Sequence, residues 1–264
     1  MCPEPNEPIG VDVVVLMAGV GSRLLPLTKD RPKALMCCDD GRSILEHTVT
    51  GLQGAFGSLR LLPVIGHGLQ AVETELSQYR ESMDVFEVLN PFYADAGPLV
   101  SLWLGLRHVV KGKVIVVNGD TLVRPALSQE LTQWFERLDQ EEQGALGLCA
   151  SKSESYSADD MKIRLDENGE FSSVSKSAES VSELRKSAGL VCIPNYAVLR
   201  QVKEHVDRLI FREDARRPGF SWHGFLNEID GAPRVELIDV PSESWREVDV
   251  HLDLETMRRL LKLP

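Results

Sequence analysis

The sequence has no apolar run approaching the roughly 20 residues that a membrane-spanning helix needs. Its first ten residues, MCPEPNEPIG, have neither the basic nor the apolar region of a signal peptide. The five cysteines form no C-x-x-C pair, which fits reduced thiols better than a disulfide framework or a zinc site. Together these absences predict a cytoplasmic protein without a membrane partner.

Positive charge is also scarce. The chain carries 40 acidic against 29 basic residues, a formal net charge of −11, whereas proteins that bind duplex nucleic acid usually present a basic face. A nucleic-acid partner is therefore not expected. The segment 22–33 is an exception, because it holds four cations and one anion. Such a concentration in an acidic protein indicates either a site for a small anion or a solvated basic loop.

Short apolar runs alternate with segments of helical periodicity along the chain. Strands are predicted at 11–17, 59–65, 85–90, 113–118, 145–150, 190–194 and 234–240, and helices at 43–56, 69–79, 99–110, 126–140, 195–209, 221–229 and 252–262. This alternation predicts a three-layer, Rossmann-like α/β fold with a mostly parallel sheet, formed by residues 1–264 as a single domain.

Residues 151–190 differ in character from the rest of the chain. They are polar and rich in serine, with two hairpin-like runs around the turn 166–169. We interpret this stretch as an insertion that forms a small β-hairpin lid over the carboxyl edge of the sheet, where ligands bind in such folds. Within it, residues 172–186 are expected to be mobile.

The most informative stretch is LMAGVGSRLLPLTKDRPKAL (16–35), which follows the first predicted strand. Gly19 and Gly21 would let backbone N–H groups approach phosphate oxygens with no Cβ in the way. Leu24 stands where a dinucleotide fingerprint has its third glycine, which disfavours a Rossmann dehydrogenase. No G-x-x-x-x-G-K-[ST] occurs anywhere, which excludes a Walker-type NTPase.

The same stretch closely resembles the signature of the sugar-phosphate nucleotidyltransferase family, G-x-G-x-R-x-x-P-x-T-x-x-x-P-K, at every fixed position. The resemblance implies that Arg23 grips the leaving β- and γ-phosphates and that Lys33 lies between the α-phosphate and the acceptor phosphate. It implies no general base, because the acceptor phosphate is already an anion. The nucleotide-binding residues implied in this loop are Ala18, Gly19, Gly21 and Ser22.

Two carboxylates complete the resemblance. Asp120 follows the predicted strand 113–118 in a G-D pair, after Gly119, that is similar to the metal-binding point of the family. The string SWREVDVHLDLETMRRL resembles W-x-E-(I/V)-D-T-x-x-D-L, with Asp249 as the second metal ligand and Val250 in place of the usual Thr. The resemblance implies a Mg²⁺ cofactor held by Asp120 and Asp249. A turn carboxylate and a surface acid are the ordinary alternatives.

The stretch NPFYADAGPLVSLWLG (90–105) lies where this family reads the nucleobase, and it resembles the branch of cytidylyltransferases that act on phosphocholine and related compounds. The nucleotide contacts implied here are Asn90, Gly97, Ser101 and Gly119. Gly97 and Pro98 replace two asparagines that are usual in that branch, and this is closer to the sugar-1-phosphate enzymes.

The acceptor side resembles the same branch through DDMKIRLDENGEFSSVSK (159–176). The resemblance implies that Lys176 pairs with the acceptor phosphate, although a loop lysine in water would look the same. A quaternary ammonium acceptor would need an aromatic or carboxylate cage. The candidates for such a cage are Tyr93, Tyr156, Asp159, Trp222 and Trp245, of which Tyr93 and Asp159 are the predicted acceptor contacts.

The function favoured by this sequence is magnesium-dependent transfer of CMP from CTP to a phosphocholine-like or alkylphosphonate acceptor, with release of pyrophosphate. The first alternative is a sugar-1-phosphate nucleotidyltransferase that uses UTP, dTTP or GTP. The second is a non-catalytic nucleotide-sensing subunit on the same fold, which would be expected to lack some of Arg23, Lys33, Asp120 and Asp249. All four are present. The oligomeric state stays open, with a homodimer as one option.

Overall fold

A computed structural model of the chain describes residues 10–38, 40–138, 144–153, 155–177, 184–229 and 231–248. The strands are β1 (Gly10–Leu16), β2 (Ser58–Ile65), β3 (Asp84–Val85), β4 (Val88–Leu89), β5 (Lys113–Asn118), β6 (Thr121–Val123), β7 (Leu146–Ser151), β8 (Lys162–Leu165), β9 (Phe171–Ser175), β10 (Leu184–Ile193), β11 (Val235–Asp239) and β12 (Trp245–Glu247). The α-helices are α1 (Ile44–Phe56), α2 (Leu69–Leu76), α3 (Pro98–Arg107), α4 (Pro125–Leu138), α5 (Tyr196–Ile210) and α6 (Glu213–Arg216). Short 3-10 helices cover Ser22–Leu24, Lys33–Leu35, Trp222–Glu228 and Ser242–Ser244.

The central sheet has the strand order β11-β7-β10-β5-β1-β2-β3, with β4 also pairing with β2. Strands β1, β2, β3, β4 and β5 run parallel to one another, and β7 runs parallel to β11. Strand β10 lies between β5 and β7 and is antiparallel to both. The prediction of a mostly parallel sheet is confirmed. A continuous β-branched run such as β1 is typical of a strand that is covered on both faces.

Two layers of helices cover the sheet, and β1 shows why. Val11, Val13 and Val15 point to one face, where they pack with apolar residues of α1, α2 and α4. Val14 points to the other face, into a second cluster with α3 and α5. Because successive side chains of a strand alternate between faces, the valines of β1 supply both cores. The three-layer prediction is therefore confirmed.

Two of the helices that flank the sheet, α1 and α5, start at side-chain caps. The Ser43 hydroxyl accepts a hydrogen bond from the Glu46 backbone N–H at 3.0 Å at the start of α1. The Asn195 side chain does the same for Val198 at 3.0 Å at the start of α5. Such caps satisfy N–H groups that have no partner within the helix. Among the described helices, none combines the length and apolar character that crossing a lipid bilayer requires.

The predicted hairpin exists, and it extends the sheet. Strands β8 and β9 pair antiparallel, and β8 also pairs with the first residues of β10. The same strand β10 then continues inward to pair with β5. The expectation of mobility across 172–186 is wrong at both ends, because residues 172–175 belong to β9 and residues 184–186 to β10. Backbone pairing holds this mostly polar sequence in place, together with the buried side chains of Ile163 and Val174.

Other differences from the predictions concern short elements. The strand predicted at 85–90 consists of two short pieces, β3 and β4, and the helix predicted at 221–229 is a 3-10 helix. The antiparallel pair of β6 and β12 was not predicted, because three residues are too few for a periodic signal. The helix predicted at 252–262 lies outside the described residues.

Candidate active site

The glycine-rich loop begins where β1 ends and is held by its own residues. Gly21 has a φ of 65°, in the left-handed region that favours glycine. The buried Thr28 hydroxyl donates a hydrogen bond to the Gly21 carbonyl at 2.9 Å. This bond closes the loop over the turn Ser22–Leu24, which carries Arg23. The space beside Gly19 is open, so a ligand could approach the backbone there.

His67, at the end of β2, ties this loop to the next one and was missed by sequence reasoning. Its backbone N–H donates to the Ala18 carbonyl at 3.0 Å. Its Nε2 lies 2.8 Å from the Thr28 carbonyl oxygen, a distance that fits an N–H donating to that oxygen. The only sequence signal was the position of His67 after a parallel strand. These two contacts of His67 therefore hold the glycine-rich loop in place.

Lys33 and Asp120 form the most enclosed ion pair of the site. The Lys33 Nζ lies 2.6 Å from Asp120 Oδ2, and the two side chains are 16% and 20% exposed. Gly119 brings Asp120 to this place, because a Cβ at Gly119 would lie 2.6 Å from the Met17 Cβ. The end of β5 can therefore pack directly on the end of β1, as expected for a close-packing glycine. Asp120 Oδ1 is buried and has no hydrogen-bond partner among the described residues.

Asp159 connects the glycine-rich loop to the hairpin. Its carboxylate lies 3.2 Å from the Arg23 guanidinium and 3.3 Å from the Lys176 ammonium. All three side chains are about half exposed, so these ion pairs are weak, worth about 0–1 kcal/mol each. Incoming phosphate groups could therefore replace the carboxylate at little cost. The two acceptor contacts predicted from sequence, Asp159 and Lys176, lie side by side.

The loop predicted to read the nucleobase is braced internally. The buried Asn90 donates through Nδ2 to the Ser101 Oγ at 2.9 Å and accepts from the Phe92 backbone N–H at 2.9 Å. The Gly97 N–H donates to the Arg216 carbonyl at 2.7 Å, and a Cβ at Gly97 would lie 2.2 Å from the Arg217 carbonyl oxygen. The glycine is thus required by a neighbouring backbone segment. Its contact with a base stays a prediction.

Aromatic and polar side chains form the wall opposite the glycine-rich loop. The Trp222 Nε1 donates to the Asn118 Oδ1 at 2.6 Å, and the Asn118 Nδ2 lies 3.4 Å from Glu247 Oε1. The His223 ring stacks on Trp222 with centroids 4.1 Å apart. Its nitrogens lie 3.2 Å from the Ser187 Oγ and 3.3 Å from the Ser221 Oγ. Burial lowers the pKa of His223 to about 3, so the imidazole is neutral at pH 7.

We expect this imidazole to make the stability of the fold depend on pH. Burial lowers the pKa of His223 from 6.5 to about 3, so below pH 6.5 the unfolded chain binds a proton that the native state does not. Stability therefore falls as the pH is lowered, by roughly 2 kcal/mol between about pH 6.5 and 4.5. Urea unfolding of the wild type and of His223→Gln at several pH values measures this contribution as the difference between the two slopes.

The matched control is the same substitution at the exposed His108. His108→Gln should keep the full pH dependence of the wild type, whereas His223→Gln should be less stable at pH 7 but less sensitive to acid. Equal slopes for the wild type and His223→Gln would show that His223 does not resist protonation.

These elements surround one cavity of about 650 Å³ at the carboxyl edge of the sheet. Most of the predicted site residues line it: Ala18, Gly19, Arg23, Asn90, Tyr93, Gly97, Ser101, Asp120, Asp159 and Lys176. Gly21, Ser22, Lys33 and Gly119 support the cavity without lining it, and Lys33 reaches it through Asp120. Asp249 lies outside the described residues. Sequence reasoning missed Asn118, Phe220, His223 and Glu247, which also line the cavity.

Residues 13–159, more than half of the chain, match the family model of the MobA-like NTP transferase domain. The chain belongs to this family. The predicted resemblance to nucleotidyltransferases is thereby confirmed at the level of the family. The matched residues include the glycine-rich loop, the loop predicted to read the nucleobase and Asp120, whereas residues 160–176 and the string from Trp245, on which the resemblance was also based, lie outside the match.

Among curated proteins, this NTP transferase domain is 34% identical over 125 residues to CMP-5'-(3-aminopropyl)phosphonate synthase of Streptomyces rubellomurinus, an alignment that covers 47% of this chain and 19% of the relative. It is 30% identical over 147 residues to the bifunctional protein GlmU of Chromohalobacter salexigens, covering 55% of this chain and 29% of the relative. The chain therefore spans less than a third of the length of these relatives.

Among solved structures, the NTP transferase domain is similar to the CTP:phosphocholine cytidylyltransferase of Streptococcus pneumoniae, with a TM-score of 0.67, 16% identity and coverage of 96% of this chain and 99% of that one. A putative glucose-1-phosphate thymidylyltransferase of Bacillus anthracis gives a TM-score of 0.74 at 14% identity, covering 97% and 96%. At these identities the likeness concerns the fold, which is that of nucleotidyltransferases across nearly the whole chain.

Proposed function

We propose that this protein transfers CMP from CTP to a small phosphorylated or phosphonate acceptor and releases pyrophosphate. The observation that carries the proposal is the placement of Arg23, the Lys33–Asp120 pair and Lys176 around one cavity. Cations from two separate parts of the chain face the same space, as a site for two anionic substrates requires.

Nucleotidyl transfer depends on positioning and on neutralising negative charge. The acceptor oxygen attacks the α-phosphorus in line, and charge builds on the equatorial and leaving oxygens. Arg23 is held on a tight turn beside the open space at Gly19, where its planar guanidinium would bind the leaving phosphates in a bidentate manner. Lys33, anchored next to the cavity by Asp120, would stabilise the charge at the reaction centre.

Asp120 has the chemistry expected of a magnesium ligand. Its Oδ1 is buried without a hydrogen-bond partner among the described residues, and hard carboxylate oxygens are the ligands that Mg²⁺ prefers. Lys33 holds the other oxygen and so fixes the orientation of the carboxylate. Together with Asp249, Asp120 would hold the ion. A bound Mg²⁺ would supply positive charge to the phosphate oxygens of the nucleotide.

The acceptor that best fits the cavity carries a cationic group. Tyr93, Phe220 and Trp222 contribute aromatic surface, and Asp159 and Glu247 contribute carboxylates. Aromatic faces and carboxylates together are suited to an alkylammonium or alkylamine group. The relative named as a CMP-aminopropylphosphonate synthase supports an acceptor of this type.

Two of the aromatic residues considered from sequence have other partners. The Tyr156 hydroxyl donates to the Leu184 carbonyl at 2.8 Å. The Trp245 ring is buried and lies 5.6 Å from the Lys186 ammonium. Neither residue lines the cavity, so we do not assign them to an acceptor cage.

The second candidate function is transfer of a nucleotide to a sugar 1-phosphate from UTP, dTTP or GTP. Gly97 and Pro98 favour it, because the cytidylyltransferase branch usually has asparagines at these positions. The similarity to GlmU proteins supports it as well. The identity of the nucleoside triphosphate therefore distinguishes the two functions better than the acceptor phosphate does, because both kinds of acceptor carry such a group.

We expect kcat/KM for CTP to exceed that for UTP by at least about tenfold. Cytosine presents an N4 amine, which donates a hydrogen bond, and an unprotonated N3, which accepts one. In a site that pairs with both groups, uracil would leave buried polar groups of the protein without partners, at a cost of about 1–3 kcal/mol each. The measurement is pyrophosphate release from each NTP against 3-aminopropylphosphonate, phosphocholine and glucose 1-phosphate. Equal or better use of UTP, dTTP or GTP would reject the cytidylyl assignment in favour of the sugar-1-phosphate one.

The control for this screen is Arg23→Ala measured beside Lys29→Ala. Both cations are exposed residues of the same loop, and only Arg23 lines the cavity. Release that is lost in Arg23→Ala but kept in Lys29→Ala assigns the activity to this site. Release that survives both substitutions comes from another site or from a contaminating enzyme.

A further inference from the structure

Three metal-binding side chains meet outside the cavity described above. Cys38, Asp40 and His47 each offer one ligand atom, and these atoms lie within 4.8 Å of one another. Cys38 and His47 are buried, whereas Asp40 is exposed. The His47 Nε2 lies 3.2 Å from both carboxylate oxygens of Asp40. None of the three lines the cavity that contains Asp120.

A tight loop before α1 creates this arrangement. The Cys38 N–H donates to the Arg42 carbonyl at 2.8 Å, and the Gly41 N–H donates to the Cys38 carbonyl at 3.0 Å. Gly41 has a φ of 84°, which allows the sharp reversal that favours glycine. The chain then enters α1, whose first turn brings His47 back over the loop. Residues nine apart in sequence therefore face one another.

The donor set selects a class of metal. A thiolate, an imidazole and a carboxylate are ligands of Zn²⁺ and similar thiophilic ions, whereas Mg²⁺ prefers oxygen alone. In a tetrahedral zinc site, neighbouring ligand atoms are about 3.3–3.8 Å apart, which is close to the separation of His47 and Asp40. The three ligand atoms lie within 4.8 Å of one another, so binding one ion would draw them closer together. A water molecule could serve as the fourth ligand.

Arg42 supplies an outer partner of the kind that metal-binding carboxylates have. Its Nε donates to Asp40 Oδ2 at 2.9 Å and its backbone N–H donates to Asp40 Oδ1 at 3.2 Å, so both carboxylate oxygens are oriented by Arg42. Such outer hydrogen bonds orient ligands and contribute to metal affinity. We propose that Cys38, Asp40 and His47 form a binding site for a thiophilic divalent cation such as Zn²⁺, separate from the magnesium site. The spacing of the cysteines disfavours a zinc site made of cysteines. It does not bear on this site, because only one of the three ligands is a cysteine.

The position of Cys38 suggests what such an ion would do. Cys38 packs in a small buried cluster with Leu24, Met36, Ile44, Leu122 and Val248. Leu24 follows Arg23 and Leu122 lies close to Asp120 in sequence, so this cluster lies behind the catalytic segments. An ion bound at Cys38 would connect Cys38 and Asp40 to His47 of α1 and so stabilise this part of the fold.

The test is a Co²⁺ titration of the full chain with excess Mg²⁺ present, because tetrahedral Co²⁺ reports its ligands by absorption. We expect one equivalent to produce intense visible bands and a thiolate-to-cobalt charge-transfer band. The charge-transfer band should vanish in Cys38→Ser and persist in Cys37→Ser, the exposed neighbour that serves as the matched control. Zn²⁺ should displace the Co²⁺ and raise the Tm of the wild type.

Two further variants keep the test decisive if Cys38→Ser folds poorly. His47→Gln and Asp40→Asn should each weaken Co²⁺ binding by at least about tenfold while circular dichroism stays unchanged. The absence of a thiolate band in the wild type, or a band that persists in Cys38→Ser or disappears only in Cys37→Ser, would overturn the proposal. So would unchanged Co²⁺ affinity in both His47→Gln and Asp40→Asn. None of these readouts depends on nucleotidyl transfer.

Discussion

Replacing Lys33 by alanine is expected to lower kcat by about 10²–10³-fold, equivalent to about 3–4 kcal/mol of transition-state stabilisation. The ammonium is held 2.6 Å from Asp120 at the edge of the cavity, where charge would develop during phosphoryl transfer. The affinity for the nucleotide should change much less, because the triphosphate would keep its proposed contacts with the glycine-rich loop and Arg23. The measurement is steady-state kinetics together with NTP binding by calorimetry.

The control is Lys29→Ala, which removes an exposed ammonium from the same loop and should leave kcat nearly unchanged. Lys33→Arg should restore only part of the rate, because a planar guanidinium does not replace a compact point charge. A kcat for Lys33→Ala within threefold of the wild type would show that Lys33 is not at the reaction centre.

Asp120→Asn is expected to abolish turnover, with a loss of at least about 10³-fold, while the fold stays intact. The amide cannot supply a charged ligand to a cation, and it also removes the ion-pair partner of Lys33. Asp249→Asn is expected to have the same effect. If both act through one ion, the double variant should be scarcely worse than either single variant.

The measurement is kcat as a function of Mg²⁺ concentration, with circular dichroism to establish folding. Asp30→Asn, an exposed carboxylate of the glycine-rich loop, is the matched control and should behave like the wild type. A shared magnesium site would be the wrong model if high Mg²⁺ gives no rescue and the double variant is far worse than each single one.

The parts of the site that could be predicted from sequence depend on local backbone geometry. Gly21 and Gly119 are such cases, because a left-handed turn and a close strand packing each favour glycine. The alternation of strands and helices predicted the layers for the same reason, since it reflects which face of each element is buried.

The parts that were missed depend on contacts between distant segments. Asn118 is hydrogen bonded to Trp222 across 104 positions of the chain, and nothing in the stretch around Asn118 marks this partner. His223 is surrounded by β10 and its own 3-10 helix, and its low pKa arises only from burial. Lys162 is a further case, because it lies in the segment 159–176 that resembles the cytidylyltransferase branch, but its contact could not be predicted. The structure shows that the buried Lys162 ammonium donates to the Lys176 carbonyl at 2.7 Å, which ties the two strands of the hairpin together.

Strand β10 pairs with β5 at one end and with β8 at the other. The hairpin is therefore attached to the core through β10, which continues from the central sheet into the hairpin. Because β8 pairs with the first residues of β10, a displacement of the hairpin relative to β5 would bend β10. The bending would concentrate between Ser187 and Val191, where the register with β7 shifts and Gly189 has a φ of 71°. The separation of Lys176 from Asp120 thus depends in part on the shape of this strand.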